Sequence, residues 1–221
     1  MPRYNYKSTY QRISIKTLLF IFFYISLFAQ SYPFFTQKEL NNIEKHNGKI
    51  SKNRVMDYQK NMYLIKTYPK AKQLIRVNFY LNQLLPQYDD VIQKKEDYWA
   101  TPKEFLITGY GDCEDYAIIK YYSLIKLGFD EKKLFITTVR EKYSGGYHMV
   151  LSYFKNKNQS PLILDNLSFK VLNLKTRKDL KADLFINSTG VYKLSEKNIL
   201  IKVADYATQY KELVEKIQKE N

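Results

Sequence analysis

The chain has 221 residues, 45% of them hydrophobic and 16% aromatic, which suits one folded domain with a real core and excludes a disordered chain. One cysteine rules out an internal disulfide, and one cysteine with two histidines supplies too few of the usual ligands for a zinc site. Thirty-six basic residues stand against 22 acids, but the lysines are spread along the whole chain without a binding motif, so they read as a solvated surface and not as a nucleic-acid interface.

Residues 1–31 read as an export signal. Arg3, Lys7, Arg12 and Lys16 form a basic leader with no acid, Leu18 to Phe28 is an apolar run of 11 residues, and Ala29-Gln30-Ser31 offers small residues where a signal peptidase reads. The run is short for a membrane span of about 20 residues, so an uncleaved anchor is the lesser alternative. The remainder, 32–221, is expected to be one domain.

Residues 32–95 are mainly helical. Thr36 with Glu39 makes a capping box, Leu40 and Ile43 fit an apolar face, and Asn47-Gly48 ends that helix. A second helical pattern runs from Val55 through Leu64 toward Tyr68, where Pro69 interrupts. A third runs from about Lys70 to Leu85, with Leu74, Val77, Asn78 and Leu81 on one side, and stops at Pro86. Tyr88 to Phe105 is a polar-aromatic connection containing Asp89, Asp90, Asp97 and the lone tryptophan, Trp99, which is read either as core or as neighbour to a site. Thr101-Pro102 with Glu104 is a helix start.

The chemistry centres on Gly109-Tyr110-Gly111-Asp112-Cys113-Glu114-Asp115-Tyr116-Ala117. Apolar residues at 117, 118, 121, 122, 124, 125 and 127, followed by Gly128, predict a helix beginning at Cys113. The first turn of a helix favours a thiolate, because unpaired backbone N–H groups and the positive end of the dipole face the sulfur. The three acids act in the opposite sense by like-charge repulsion. Two readings of them stand together: Asp112 as helix cap with Glu114 and Asp115 in the favoured first turn, or a cluster that binds a divalent cation. Asp89, Asp90 or Asp97 are candidate further ligands.

Beyond the cysteine helix the period changes from 3.6 to 2. Leu134 to Arg140, Tyr147 to Phe154 and Leu162 to Leu167 are strands joined by short polar turns, which implies an antiparallel sheet; short β pieces continue to Val203, and Ala204 to Asn221 is an amphipathic helix. His148 opens the second strand after Gly145-Gly146. Asp165 interrupts the apolar third strand, where a buried acid needs a partner. Adjacent antiparallel strands set these two side by side, and a cysteine at a helix start completes nucleophile, base and orienter. In this reading Cys113 attacks a carbonyl, His148 moves the proton, Asp165 fixes the imidazole, and the Cys113 backbone N–H serves as an oxyanion donor. His46 is only a helix-end residue.

GDCEDYA at 111–117, HMVL at 148–151 and LILDNL at 162–167, with DYWATP at 97–102 and LGF at 127–129, together resemble the bacterial transglutaminase-like cysteine proteinases of the LapG type, over roughly Val77 to Asn187. The resemblance implies an α+β, papain-like or transglutaminase-like fold, with N-terminal helices and the cysteine helix packed on an antiparallel sheet. It implies a Cys-His-Asp triad at Cys113, His148 and Asp165, and calcium held by Asp112 and Glu114. It further implies a periplasmic endopeptidase that clips the N-terminal retention module of a large repeat-containing adhesin and is sequestered by an inner-membrane receptor for cyclic-di-GMP. The same triad also handles glutamine amides, so a transglutaminase or amidase acting on wall peptides is the alternative enzyme, and a binding module on the same scaffold the alternative outside enzymes.

Overall fold

The computed structural model describes residues 32–86, 98–156, 159–197 and 199–220. The export signal at 1–31 and the candidate ligands Asp89, Asp90 and Asp97 lie outside the described residues. No helix among the described residues is long and apolar enough to cross a membrane.

The architecture is α+β. Helix α1 (Gln37–Lys66) starts with the expected capping box: Glu39 N–H donates to Thr36 Oγ1 at 3.2 Å, and Thr36 N–H to Glu39 Oε2 at 2.7 Å. Gly48, at φ +86°, breaks it into two helical stretches where the Asn-Gly pair predicts an end. Helix α2 (Lys70–Leu81) buries Leu74, Val77, Asn78 and Leu81 as expected but stops four residues early; Leu85–Pro86 instead forms strand β1, paired in parallel with β2 (Tyr110–Gly111). Between them in sequence lies α3 (Pro102–Thr108), opened by a second capping box from Thr101 and Glu104. Helix α4 (Cys113–Lys126) follows β2 directly and ends at Gly128, at φ +80°.

The second half is a seven-stranded antiparallel sheet among the described residues. Its strands are β3 (Leu134–Glu141), β4 (Tyr147–Tyr153), β5 (Leu162–Asp165), β6 (Ser168–Asn173), β7 (Leu180–Asn187), β8 (Gly190–Leu194) and β9 (Leu200–Ala204), in the order β6-β5-β4-β3-β7-β8-β9. Alternation along the strands sorts the residues. Leu134, Ile136, Leu151, Leu164 and Ile186 join the core under the helices, while Phe135, Phe154, Phe185 and Val139, Val150, Ile163 form two smaller clusters on the other face. The C-terminal helix α5 (Thr208–Lys219) begins four residues later than the sequence pattern suggests, because Ala204 still belongs to β9. It is no surface appendage: Tyr210, Leu213 and Ile217 are buried in the helix-side core.

Candidate active site

Two glycines make the turn that presents Cys113. Gly109 has φ +83°, and a Cβ there would fall 2.1 Å from the Arg54 guanidinium carbon. That guanidinium is occupied in holding the end of α3, donating to the carbonyls of Ile107 (2.7 Å) and Leu106 (3.2 Å). A Cβ at Gly111 would lie 2.4 Å from Asp115 Oδ2 and 2.9 Å from the Phe105 ring. The turn is therefore closed against α3 and against the first turn of α4, and only glycine fits.

Cys113 is the first residue of α4, as expected, and Asp112 occupies the cap position. The expected cap bond is absent: Asp112 makes no side-chain hydrogen bond to the helix backbone. Its carboxyl instead acts on that of Glu114, two residues on. Glu114 is buried, and burial raises its pKa; the hydrogen bond from Asp112 opposes this. Asp115 has a structural task, accepting the Ala100 N–H at 2.8 Å and so pinning the Trp99-Ala100 segment to the cysteine turn. Trp99 is thus both a core residue, 5% exposed, and a neighbour of the site loop.

Around the sulfur, the neighbouring acids act in the expected sense and raise the thiol pKa. Burial, the Glu114 charge and donation of the thiol to Glu114 Oε2 at 3.2 Å push the Cys113 thiol pKa well up, while the Met149 backbone N–H beside the sulfur acts in the opposite sense. Burial leads this rise, and the Glu114 and Asp112 charges add to it, which outweighs what the helix start offers the sulfur.

The Met149 contact also joins the site together. Met149 follows His148 at the start of β4, so the sulfur lies against the backbone next to the histidine. His148 Nε2 bonds Asp165 Oδ1 at 2.8 Å, with His148 6% exposed and Asp165 fully buried. Asp165 ends β5, and Oδ1 also accepts the Leu167 N–H at 2.9 Å. The β5–β6 turn is tied to α2, since Asn82 donates to the carbonyls of Asp165 (2.7 Å) and Ser168 (3.1 Å) and Asn78 to that of Ser168 (2.8 Å). Burial alone would raise the Asp165 pKa, but the bond from His148, its charge, the Leu167 N–H and Arg177 together hold it down to about 2.

The structure thus brings His148 and Asp165 into contact and sets Cys113 beside them, and it pairs Asp112 with Glu114 at the same helix start. Such neighbouring carboxyls are the kind of donors that hold a hard cation; among the described residues no group of three or more His, Cys, Asp or Glu is arranged to hold a metal ion. His46 is exposed on α1, bonded to the Asn42 carbonyl, and plays no part here.

Sequence reasoning missed two residues around Asp165. Arg177, in the β6–β7 connection, places Nη2 2.8 Å from Asp165 Oδ2. Lys120, on α4, is fully buried with no hydrogen-bond acceptor among the described residues, and burial lowers its pKa to about 7, partly offset by the Asp165 charge. A signal for Lys120 existed, a charge inside the apolar run Ala117-Ile118-Ile119-Lys120-Tyr121; the same argument singles out Asp165. A cavity of about 720 Å³ lined by Phe135, Phe154 and Tyr192 lies elsewhere, and none of Cys113, His148 and Asp165 lines it.

Comparison with known proteins agrees with this geometry. A family model described as bacterial transglutaminase-like cysteine proteinase BTLCP matches residues 44–179. Solved structures of Legionella pneumophila LapG are similar at 30% identity: a calcium-bound form (TM-score 0.67, covering 80% of this chain and 98% of that one) and an EGTA-treated form (0.69, 80% and 97%). A third LapG structure covers 85% of this chain and 99% of its own, with a TM-score of 0.69. No curated protein matches in sequence. A match over more than half the chain, on a shared α+β fold, makes this protein a transglutaminase-like cysteine protease, a member of the bacterial transglutaminase-like cysteine proteinase family.

Proposed function

We propose that this protein is an exported, calcium-dependent cysteine endopeptidase with Cys113, His148 and Asp165 as its triad. The observation that carries the reading is the 2.8 Å bond from His148 Nε2 to Asp165, with the backbone N–H of the next residue, Met149, acting on the Cys113 sulfur. Because Nε2 is bonded to Asp165, Nδ1 is the nitrogen left to accept the thiol proton. Cys113 then attacks the scissile carbonyl carbon, and the imidazolium returns the proton to the departing amine. The thioester is hydrolysed by water, with His148 again as base. Asp165 stays ionised throughout and stabilises the imidazolium.

Calcium is supported by the paired Asp112 and Glu114 carboxyls and by the calcium-bound form of the LapG structure. Held by these two carboxylates, the ion would supply a positive charge that cancels the repulsion now raising the Cys113 thiol. The all-oxygen pair suits calcium, whose shell of six to eight oxygens needs other groups besides. The substrate is the N-terminal retention module of a large repeat-containing adhesin, the site of action is the periplasm, and an inner-membrane cyclic-di-GMP receptor is the partner. The basic leader at 1–31 and the family support that assignment.

The test is cleavage of an adhesin N-terminal fragment, followed on gels. Wild type is expected to cut with calcium and stop in EGTA, and Cys113→Ala and His148→Ala to be inactive while remaining folded. Asp112→Ala or Glu114→Ala should raise the calcium requirement. Undiminished cutting in EGTA would remove calcium from the mechanism, and cutting by Cys113→Ala would remove the triad.

A further inference from the structure

Asp165 presents two oxygens, and the triad accounts for only one. Oδ1 takes the His148 Nε2–H (2.8 Å) and the Leu167 N–H (2.9 Å). Oδ2 is equally buried, and an unbalanced buried carboxylate oxygen is costly. The group that meets it is Arg177, 2.8 Å away through Nη2 and itself only 10% exposed. The N–H bonds of Arg177 are aligned on Asp179, to which Nε donates at 3.0 Å and Nη2 at 2.6 Å, so the approach to Asp165 is a charge contact and not an aligned hydrogen bond. Asp179 stands just before β7 and is partly exposed, so it anchors the arginine from the side nearer solvent.

We propose that Arg177 is a positioning residue for the reaction: clamped by Asp179, it holds the far oxygen of Asp165 so that the near one stays on His148. It rests on the triad reading. Arg177 meets Asp165 and Asp179, and it acts on the imidazole through Asp165. A lysine is a poor substitute, since a point charge cannot fork to Asp179 and reach Asp165 in one plane. The charged groups around Asp165 are His148 on β4, Arg177 and Asp179 on the β6–β7 connection, and Lys120 on α4. Lys120 supplies charge without an orienting contact, because its ammonium has no hydrogen-bond acceptor among the described residues.

The single cysteine and the two histidines make the test independent of the natural substrate. In a His46→Gln background with saturating calcium, two readouts are followed: the downfield proton resonance of the His148 Nε2–H, and the rate of Cys113 alkylation by iodoacetamide. Arg177→Met is expected to lose or shift the downfield resonance upfield and to slow alkylation roughly tenfold, a modest share of general-base assistance. Arg177→Lys should fall between it and wild type, and serves as the test if Arg177→Met does not fold. Since the effect passes through Asp165, Arg177→Met added to Asp165→Asn should slow alkylation no further than Asp165→Asn alone. A folded Arg177 variant with either readout unchanged, or losses that multiply in the double mutant, would overturn the positioning role. Failure of the triad reading looks different: His148→Ala would then leave the alkylation rate at the wild-type value.

Discussion

At the scale of single residues, the site is set by what it forbids. Gly111 lets the backbone pass between Asp115 and Phe105, and a methyl group there has no room. Gly111→Ala is expected to displace the cysteine turn, with a loss of about 1–3 kcal/mol and of most proteolysis, measured by urea unfolding beside a cleavage assay. Lys120 shows the opposite balance. Its ammonium is buried with no acceptor and its pKa is down to about 7, whereas in the unfolded chain it titrates near the ordinary lysine value. The unfolded state therefore binds a proton that the folded state lacks as pH falls from above 10 toward 7. Stability drops over that window and levels off below it. Lys120→Met is expected to be more stable than wild type at pH 7, by on the order of 4 kcal/mol, with the advantage shrinking as pH rises from 7 and nearly gone by about pH 10.5. Parallel urea titrations at pH 7 and 10.5 measure it, and equal midpoints at pH 7 would show that the buried ammonium is not a burden.

At the scale of elements, two joints matter to the site. Asn78 and Asn82 on α2 grip the β5–β6 turn through three carbonyl contacts, so the aspartate at the end of β5 is held by a helix. Asn82→Ala leaves the Asp165 and Ser168 carbonyls without that donor and is expected to cost about 1–3 kcal/mol, and to lower cleavage further than the stability loss alone explains. The second joint is α5. Glu220, just past its end, accepts from Thr101 Oγ1 (2.6 Å) and Tyr32 OH (2.5 Å), and Lys216 donates to the Trp99 carbonyl, so the C-terminus fastens the segment leading into the cysteine turn. Leu213 is fully buried, and Leu213→Ala is expected to cost about 2–5 kcal/mol in chemical unfolding. A loss below about 0.5 kcal/mol would mark α5 as an appendage after all.

At the scale of the whole molecule, acid stability reports on the same charge cluster. Asp165 has its folded pKa depressed to about 2, so its contribution is full above the ordinary carboxylate pKa and disappears as pH falls from about 4 through 2. The shift corresponds to about 2.5 kcal/mol, and Asp165→Asn is expected to flatten the stability curve between pH 4.5 and 2 by that amount. Unfolding free energies across this range, wild type beside mutant, test it; parallel curves would mean that Asp165 carries no such depressed pKa. Lys120 does not contribute a slope in this window, because both its folded and unfolded values lie well above it.

Much of this was legible in the chain itself. The capping boxes at Thr36 and Thr101, the Gly48 break, the Cys113 helix start and the three strands carrying His148 and Asp165 all follow from local rules, and each appears where those rules put it. Helix caps, φ-positive glycines and period-2 strands involve neighbours within a few residues, so sequence alone determines them. The family, too, was legible, because its motifs are short and fall in a distinctive order. Tertiary structure decided the rest. That Asp112 does not cap its helix, that burial and the neighbouring acids push the Cys113 thiol pKa up, and that α2 ends early to make β1 depend on distant groups and their burial. So does the pairing of Arg177 with Asp165, which are 12 positions apart on different elements. Burial and charge pairing arise only when the chain has folded, and they shift the pKa values of Cys113 and Asp165 in opposite directions.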